Sequence, residues 1–186
     1  FYQAVGPAAY NLPEVIKTLD ITKEQQEKLV TVNKDFQEKM TALFAGTPKA
    51  DLLLGNNVLA HVPDIVDFTG GMKILLKPGG VITMEFPHLL QLMEQNQFDT
   101  IYHEHFSYFS FLAVEKVFAR HGMTLFDVEE LPTHGGSLRI YARHAQDSSK
   151  PIGARAQDLK AREEKAGFGR LDHYLSFGPQ VEATKR

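Results

Sequence analysis

The stretch Ala50-Asp51-Leu52-Leu53-Leu54-Gly55, followed by Pro63-Asp64-Ile65 and then by Lys77-Pro78-Gly79-Gly80-Val81-Ile82-Thr83-Met84-Glu85-Phe86-Pro87, decides the fold. The apolar run Leu52 to Leu54 stops at a glycine and reads as a buried strand. Pro63 and Asp64 open a helix whose Ile65, Phe68, Met72 and Leu75 fall on one face. Gly70 and Gly71 weaken that helix, by about 1 kcal/mol each relative to alanine. Lys77 to Gly80 reads as a tight turn, and Val81 to Phe86 as a second strand ended by Pro87. Strand, helix and strand within about 35 residues make a parallel βαβ unit with a right-handed crossover. Ligands meet such a unit beyond the carboxyl ends of its strands, here Asn56 to His61 and Phe86 to His88.

Downstream, Ser110 caps a helix running to His121, with Phe111, Val114, Val117 and Phe118 inward and Gly122 as its stop. Thr124 to Leu131 and Ser137 to Arg143 read as strands, joined by a 132–136 segment short enough for a hairpin loop. A parallel unit followed by a hairpin predicts a mixed α/β sheet. From Pro151 the chain is charged and helix-prone, broken at Gly167-Phe168-Gly169. Upstream, Thr22-Lys23-Glu24-Gln25 forms a capping box. Leu29, Val32, Phe36, Met40 and Leu43 then make one helical stripe, stopped at Gly46 and Pro48. The expected organisation is a helical segment over 1–47, an α/β unit over 48–148 and a helical segment over 149–186.

Composition narrows the function classes. With 43% hydrophobic and 23% charged residues, the chain is a globular one. A net charge of −3 gives no field to gather nucleic acid or anionic lipid. No apolar run reaches the roughly 18 residues of a membrane helix. The absence of cysteine excludes disulfides, thiolate zinc sites and cysteine nucleophiles. No signal peptide is visible, so a cytoplasmic location is expected. The start at Phe1 is read as a fragment or processed product.

The densest chemistry lies in Phe98 to Phe109, where Tyr102-His103-Glu104-His105 sits between aromatic residues. Aromatic walls lower the dielectric, while imidazole and carboxylate move protons near neutral pH. An extended segment would put His103 and His105 on one face and Tyr102 and Glu104 on the other. A turn would let all four converge. A three-imidazole metal site of His61, His103 and His105, with Glu104 beside it, is a second reading. His134-Gly135-Gly136-Ser137 offers amides and a hydroxyl to an anion, although a plain hairpin turn explains the same spacing. No Gly-x-Gly-x-x-Gly, Walker loop or Gly-x-Ser-x-Gly is present.

Several words together carry a resemblance. They are Asn56 to Asp64, Leu76-Lys77-Pro78-Gly79-Gly80, Glu85-Phe86-Pro87-His88, the Tyr102-His103-Glu104-His105 context, and Glu129 to Arg139. They resemble the second half of a class I S-adenosylmethionine-dependent methyltransferase, a Rossmann-like fold, and within that class the sugar C-methyltransferases acting on nucleotide-linked keto-deoxysugars. The likeness spans about residues 48–186, and residues 1–47 are not part of it. It implies S-adenosylmethionine as cofactor, held near Asn56, Asn57 and Val58, and no metal. It also implies His105 as base, with Tyr102, Glu104 and His61 in the same pocket, and substrate contacts at His88, His134, Gly135 and Ser137.

The chain departs from that family in three ways. It shows no cysteine-rich zinc motif and no glycine-rich first cofactor loop, and the family continues past the position of Arg186 into a further C-terminal domain. A middle segment of such an enzyme is therefore expected, with one sheet edge exposed where the first three of seven strands belong. Residues 22–45 are expected to cover that edge or to mediate self-association. A non-catalytic remnant or interaction module, and a histidine-ligated metal enzyme, are the alternative readings.

Overall fold

A computed structural model describes residues 45–184, together with 22–24, 38–39 and 42–43. The helix expected over 22–45, its capping box and its packing or self-association rest on residues outside this description.

Four strands form one sheet in the order β1-β2-β4-β3: β1 (Ala50–Asn56), β2 (Leu76–Pro87), β3 (Met123–Leu131) and β4 (Ser137–His144). β1 and β2 run parallel, and β4 is antiparallel to both β2 and β3, so the sheet is mixed as expected. The crossover from β1 to β2 is α1 (Ile65–Leu75). Asp64 caps it, its carboxylate accepting from the amides of Val66 at 3.1 Å and Asp67 at 3.0 Å. Between β2 and β3 come α2 (Leu89–Glu94) and α3 (Phe111–Arg120), the latter capped by Ser110, which accepts from the Ala113 amide at 3.2 Å. The charged C-terminal stretch forms α4 (Ala154–Ala166), α5 (Leu171–Leu175) and α6 (Phe177–Thr184).

Alternation along the strands sorts the two sheet faces. Ile82, Met84 and Phe86 of β2 lie opposite Ala142, Ile140 and Leu138 of β4, and all six are buried. α1, α3 and α4 add Ile65, Met72, Val114, Phe118 and Leu159 to that core. The intervening residues carry charge. Arg139 reaches Glu85 at 2.8 Å, Tyr141 donates to Glu129 at 2.9 Å, and Arg155 donates through Nε to Asp127 at 3.0 Å.

Two local readings are corrected. Lys77 to Gly80 is no turn between elements but an irregular stretch inside β2: Ala50 faces Leu76, while Leu52 already faces Val81. Gly79 supplies the positive φ of 83° that this bulge requires. The run Leu52 to Leu54 is not a buried strand either. Among the described residues β1 pairs on one side only, and Leu52 and Leu54 are 55% and 65% exposed.

Candidate active site

The parallel strands β1 and β2 deliver their carboxyl ends side by side, and the site is built just beyond them. Past β1 the chain turns at Asn57, whose amide donates to the Glu85 carbonyl at 2.8 Å, and enters a 3₁₀ turn, Leu59–His61. The Ala60 carbonyl in that turn accepts from the amides of Phe106 at 2.8 Å and Ser107 at 3.3 Å. These two bonds pull the histidine-rich segment onto His61. The Leu89 amide, donating to the Phe109 carbonyl at 3.0 Å, anchors the far end of the segment to α2. Within it the His105 amide donates to the Tyr102 carbonyl at 3.2 Å, so the segment is a turn and not an extended strand. The convergence that a turn allows is realised for three of the four residues. Tyr102, Glu104 and His105 line a cavity of about 310 Å³ with His61, and His103 is not in its wall.

The His61 and His105 rings meet edge-on with centroids 4.7 Å apart. His61 Nδ1 lies 3.2 Å from the Glu104 carbonyl oxygen. A carbonyl only accepts, so Nδ1 carries the hydrogen and the lone pair of His61 sits on Nε2. Burial, and next the neighbouring His61, push the His105 imidazole below its ordinary pKa, while Glu104 opposes them. Both influences favour the neutral imidazole, the form that accepts a proton.

The backbone marks the same place. Asn57 and His134, with φ of 55° and 54°, hold left-handed conformations uncommon outside glycine, and both line this cavity. Gly136 lets the β3–β4 loop approach α2, since a Cβ there would sit 2.9 Å from Gln91 Cγ.

His88 also faces the cavity, but its side chain is fully buried. Its Nε2 lies 2.9 Å from Glu163 Oε1. Glu163, equally buried on α4, also accepts from the first amides of α3, Phe111 at 2.8 Å and Leu112 at 2.9 Å. His88 Nδ1 has no hydrogen-bond partner among the described residues and lies 3.9 Å from Glu130. Sequence reasoning missed Glu163, because a glutamate in a Lys/Glu-rich helix looks solvated. Its one signal was position: Ala156, Leu159 and Glu163, at spacings of three and four, are the buried residues of α4. Gln97 and Thr100 of the cavity wall were likewise missed.

Other expected residues fall outside this cavity. Asn56 is still in β1, paired opposite Glu85, and Val58 starts the 3₁₀ turn, so neither lines it. Gly135 and Ser137 line a neighbouring space of about 480 Å³ with His88 and Glu130. The Ser137 hydroxyl is spent within its own loop, donating to the Thr133 carbonyl at 3.0 Å. The trio His61, His103 and His105 is not assembled. Glu104 takes the place of His103, and one ligand atom each from His61, Glu104 and His105 lie within 4.8 Å of one another. That trio could hold a divalent cation.

The lining also suits a sulfonium cofactor. It contains no lysine or arginine that would repel a cation, and Asn57 offers a carboxamide just past β1. No helix among the described residues is long and apolar enough to cross a membrane.

Comparisons with known proteins give the family of the chain. A family model described as a methyltransferase domain matches residues 4–128, so its match includes the N-terminal stretch that the resemblance left out. A second, described as a C-methyltransferase C-terminal domain, matches residues 132–186. C-methyltransferase NovU of Streptomyces niveus is 38% identical over 136 residues, which are 73% of this chain and 32% of NovU. The chain thus spans about a third of that relative's length. A solved SAM-dependent methyltransferase from Anabaena variabilis superposes with a TM-score of 0.42 at 12% identity, over 58% of this chain and 54% of that one.

Proposed function

Since the chain belongs to the methyltransferase domain family, its match covering residues 4–128, we propose that it forms the substrate-activating half of an S-adenosylmethionine-dependent C-methyltransferase. The substrate is a nucleotide-linked keto-deoxysugar, methylated at the carbon beside its ketone. The observation that carries this reading is the His105 imidazole set in a cavity wall shared with Tyr102, Glu104 and His61.

A carbon beside a ketone is acidic enough for a positioned imidazole to take its proton. His105 is that base. The electron pair left behind moves onto the ketone oxygen, where the Tyr102 phenol donates a hydrogen bond to the enolate. Glu104, beside His105, stabilises the imidazolium that forms there. The bound cofactor supplies an electrophilic methyl group, and Asn57 holds its amino-acid portion. His134 contacts the sugar nucleotide from the cavity wall, with His88, Gly135 and Ser137 along the neighbouring space, and His61 lines the pocket around the ketone. NovU is named a C-methyltransferase, and its likeness over 73% of this chain supports carbon as the methylated atom.

The proposal carries with it a cytoplasmic location, where sugar nucleotides and S-adenosylmethionine are made. It also divides the chain at 48 and 148, on the ground that β4 ends at His144 and α4 begins at Ala154.

The test is solvent deuterium exchange at the carbon beside the ketone of a nucleotide keto-deoxysugar. Exchange requires only the base and the sugar pocket, so it is expected without cofactor. Calorimetry with S-adenosylhomocysteine tests the cofactor half separately. No exchange by folded protein with a panel of such sugars would return the chain to a non-catalytic remnant.

A further inference from the structure

One side chain touches the proposed base and three points of the loop that carries it. Tyr108 Oη lies 2.7 Å from the Tyr102 amide nitrogen, 3.2 Å from the Thr100 carbonyl oxygen and 3.0 Å from His105 Nδ1. A second carbonyl, that of Tyr102, stands at 3.5 Å. The Tyr108 ring packs edge-on against the His105 ring with centroids 5.2 Å apart. We propose that Tyr108 is a positioning residue that fixes His105 as its Nδ1–H tautomer and so leaves the basic lone pair on Nε2. The inference rests on the reading of His105 as the base.

The argument is a count of protons. A phenol has one hydrogen to give and two lone pairs to receive with. The Tyr102 amide can only donate, so it takes one lone pair. The Thr100 carbonyl can only accept, so it takes the hydrogen. What remains to face His105 is the second lone pair, and a lone pair demands a hydrogen on Nδ1. The opposite arrangement, phenol donating to Nδ1, strips Thr100 of its donor and puts the imidazole hydrogen on Nε2, which abolishes the base. Burial raises the phenol pKa above its ordinary value, so Tyr108 keeps its hydrogen near neutral pH.

The second histidine of the site is held alike. His61 gives its Nδ1 hydrogen to a backbone carbonyl of the same loop. Both imidazoles are thus tied by Nδ1 to the chain, and each keeps its Nε2 lone pair. The arrangement matches the tautomer control that a carboxylate exerts in a Ser-His-Asp triad, with a neutral phenol doing the orienting.

The experiment reads the tautomer directly. Long-range ¹H–¹⁵N spectra of the ¹⁵N-labelled full chain are recorded above the His105 pKa, with the His105 signal identified by its loss in His105→Asn. A protonated Nδ1 and a bare Nε2 are expected. Tyr108→Phe keeps the ring packing and removes the hydroxyl, and the population should move toward the Nε2–H form. In that variant the turnover number for deuterium exchange should fall by about 10- to 100-fold with KM held, less than loss of the base itself. An Nε2–H tautomer in the unmodified protein, or an unchanged tautomer in Tyr108→Phe, overturns the proposal. Should the phenylalanine variant not fold, the tautomer of the unmodified chain decides alone. Failed exchange with a correct tautomer would count against the methyltransferase reading and leave this one standing.

Discussion

Two histidine–glutamate neighbourhoods lie on the walls of one cavity, and they are built in opposite ways. His88 and Glu163 are wholly buried, and the carboxylate is filled by an imidazole and two backbone amides. His105 and Glu104 sit at the open side, with Glu104 exposed, His105 half-buried and the side-chain hydrogen bond of His105 made through Nδ1. The first pair joins elements far apart in sequence. The second keeps a lone pair with nothing to do until a substrate arrives. A filled carboxylate marks structure, whereas the Nδ1 of His88, partnerless among the described residues, and the open face of His105 are left over for chemistry.

Replacing the unspent group should produce the largest effect. His105→Asn retains one polar edge but cannot take a proton near neutral pH, so deuterium exchange should drop by roughly 10²–10⁴-fold with the thermal midpoint little changed. His103→Asn is the matched control, since His103 lies outside the cavity wall, and its stability should stay within about 0.5 kcal/mol. Equal losses from the two changes would erase the distinction drawn above.

The filled Glu163 carboxylate should answer in stability. Glu163→Ala strands the two α3 amides and His88 together, at a cost of about 3–5 kcal/mol in denaturant unfolding. A loss under about 1 kcal/mol would mean that the carboxylate joins nothing.

The comparison sharpens with pH. Because burial and His61 hold the His105 pKa below its ordinary 6.5, the base stays neutral as pH falls through 6.5, and exchange should decline only under more acidic conditions. His61→Gln removes one depressing influence and should move that acid limb toward neutrality. An acid limb already above pH 6.5 in the unmodified chain contradicts this picture.

The smallest effect is expected at the cofactor end. Asn57 sits at φ 55°, so alanine there would add backbone strain to the loss of the amide. Asn57→Gly isolates the side chain. Losing one hydrogen bond of about 0.5–1.5 kcal/mol should weaken S-adenosylhomocysteine binding roughly 2- to 13-fold by calorimetry.

Sequence reasoning reached the elements that carry their own punctuation. Asp64 and Ser110 announce helix starts through their caps, and the alternation in Val81 to Phe86 and Ser137 to Arg143 gives strands whose observed bounds differ by a few residues. The Tyr102 to His105 cluster was legible because its residue types are dense. Its geometry was not, since the choice between strand and turn depends on the Ala60 carbonyl, over 40 residues upstream. Glu163 was invisible for the same reason: its partners stand 51, 52 and 75 residues away. The bulge at Lys77 to Gly80 looked like a turn because bulges and turns ask for the same glycine. Local chemistry speaks in the sequence; long-range pairing does not.

Glu163 finally sets a timetable for the chain's birth. Synthesis runs from the N-terminus at about 5–20 residues per second, so the 75 residues between His88 and Glu163 represent roughly 4–15 s. In the later part of that interval, once Arg120 has been added, the nascent polypeptide holds both strands of the parallel pair, the histidine loop and α3, yet the acid that knits His88 to the first turn of α3 has not been made. The brace behind His88 is therefore completed last, by the helix translated after the whole sheet. A ribosome stalled just before residue 163 would carry a chain with every cavity-lining residue made and His88 still without its buried acid.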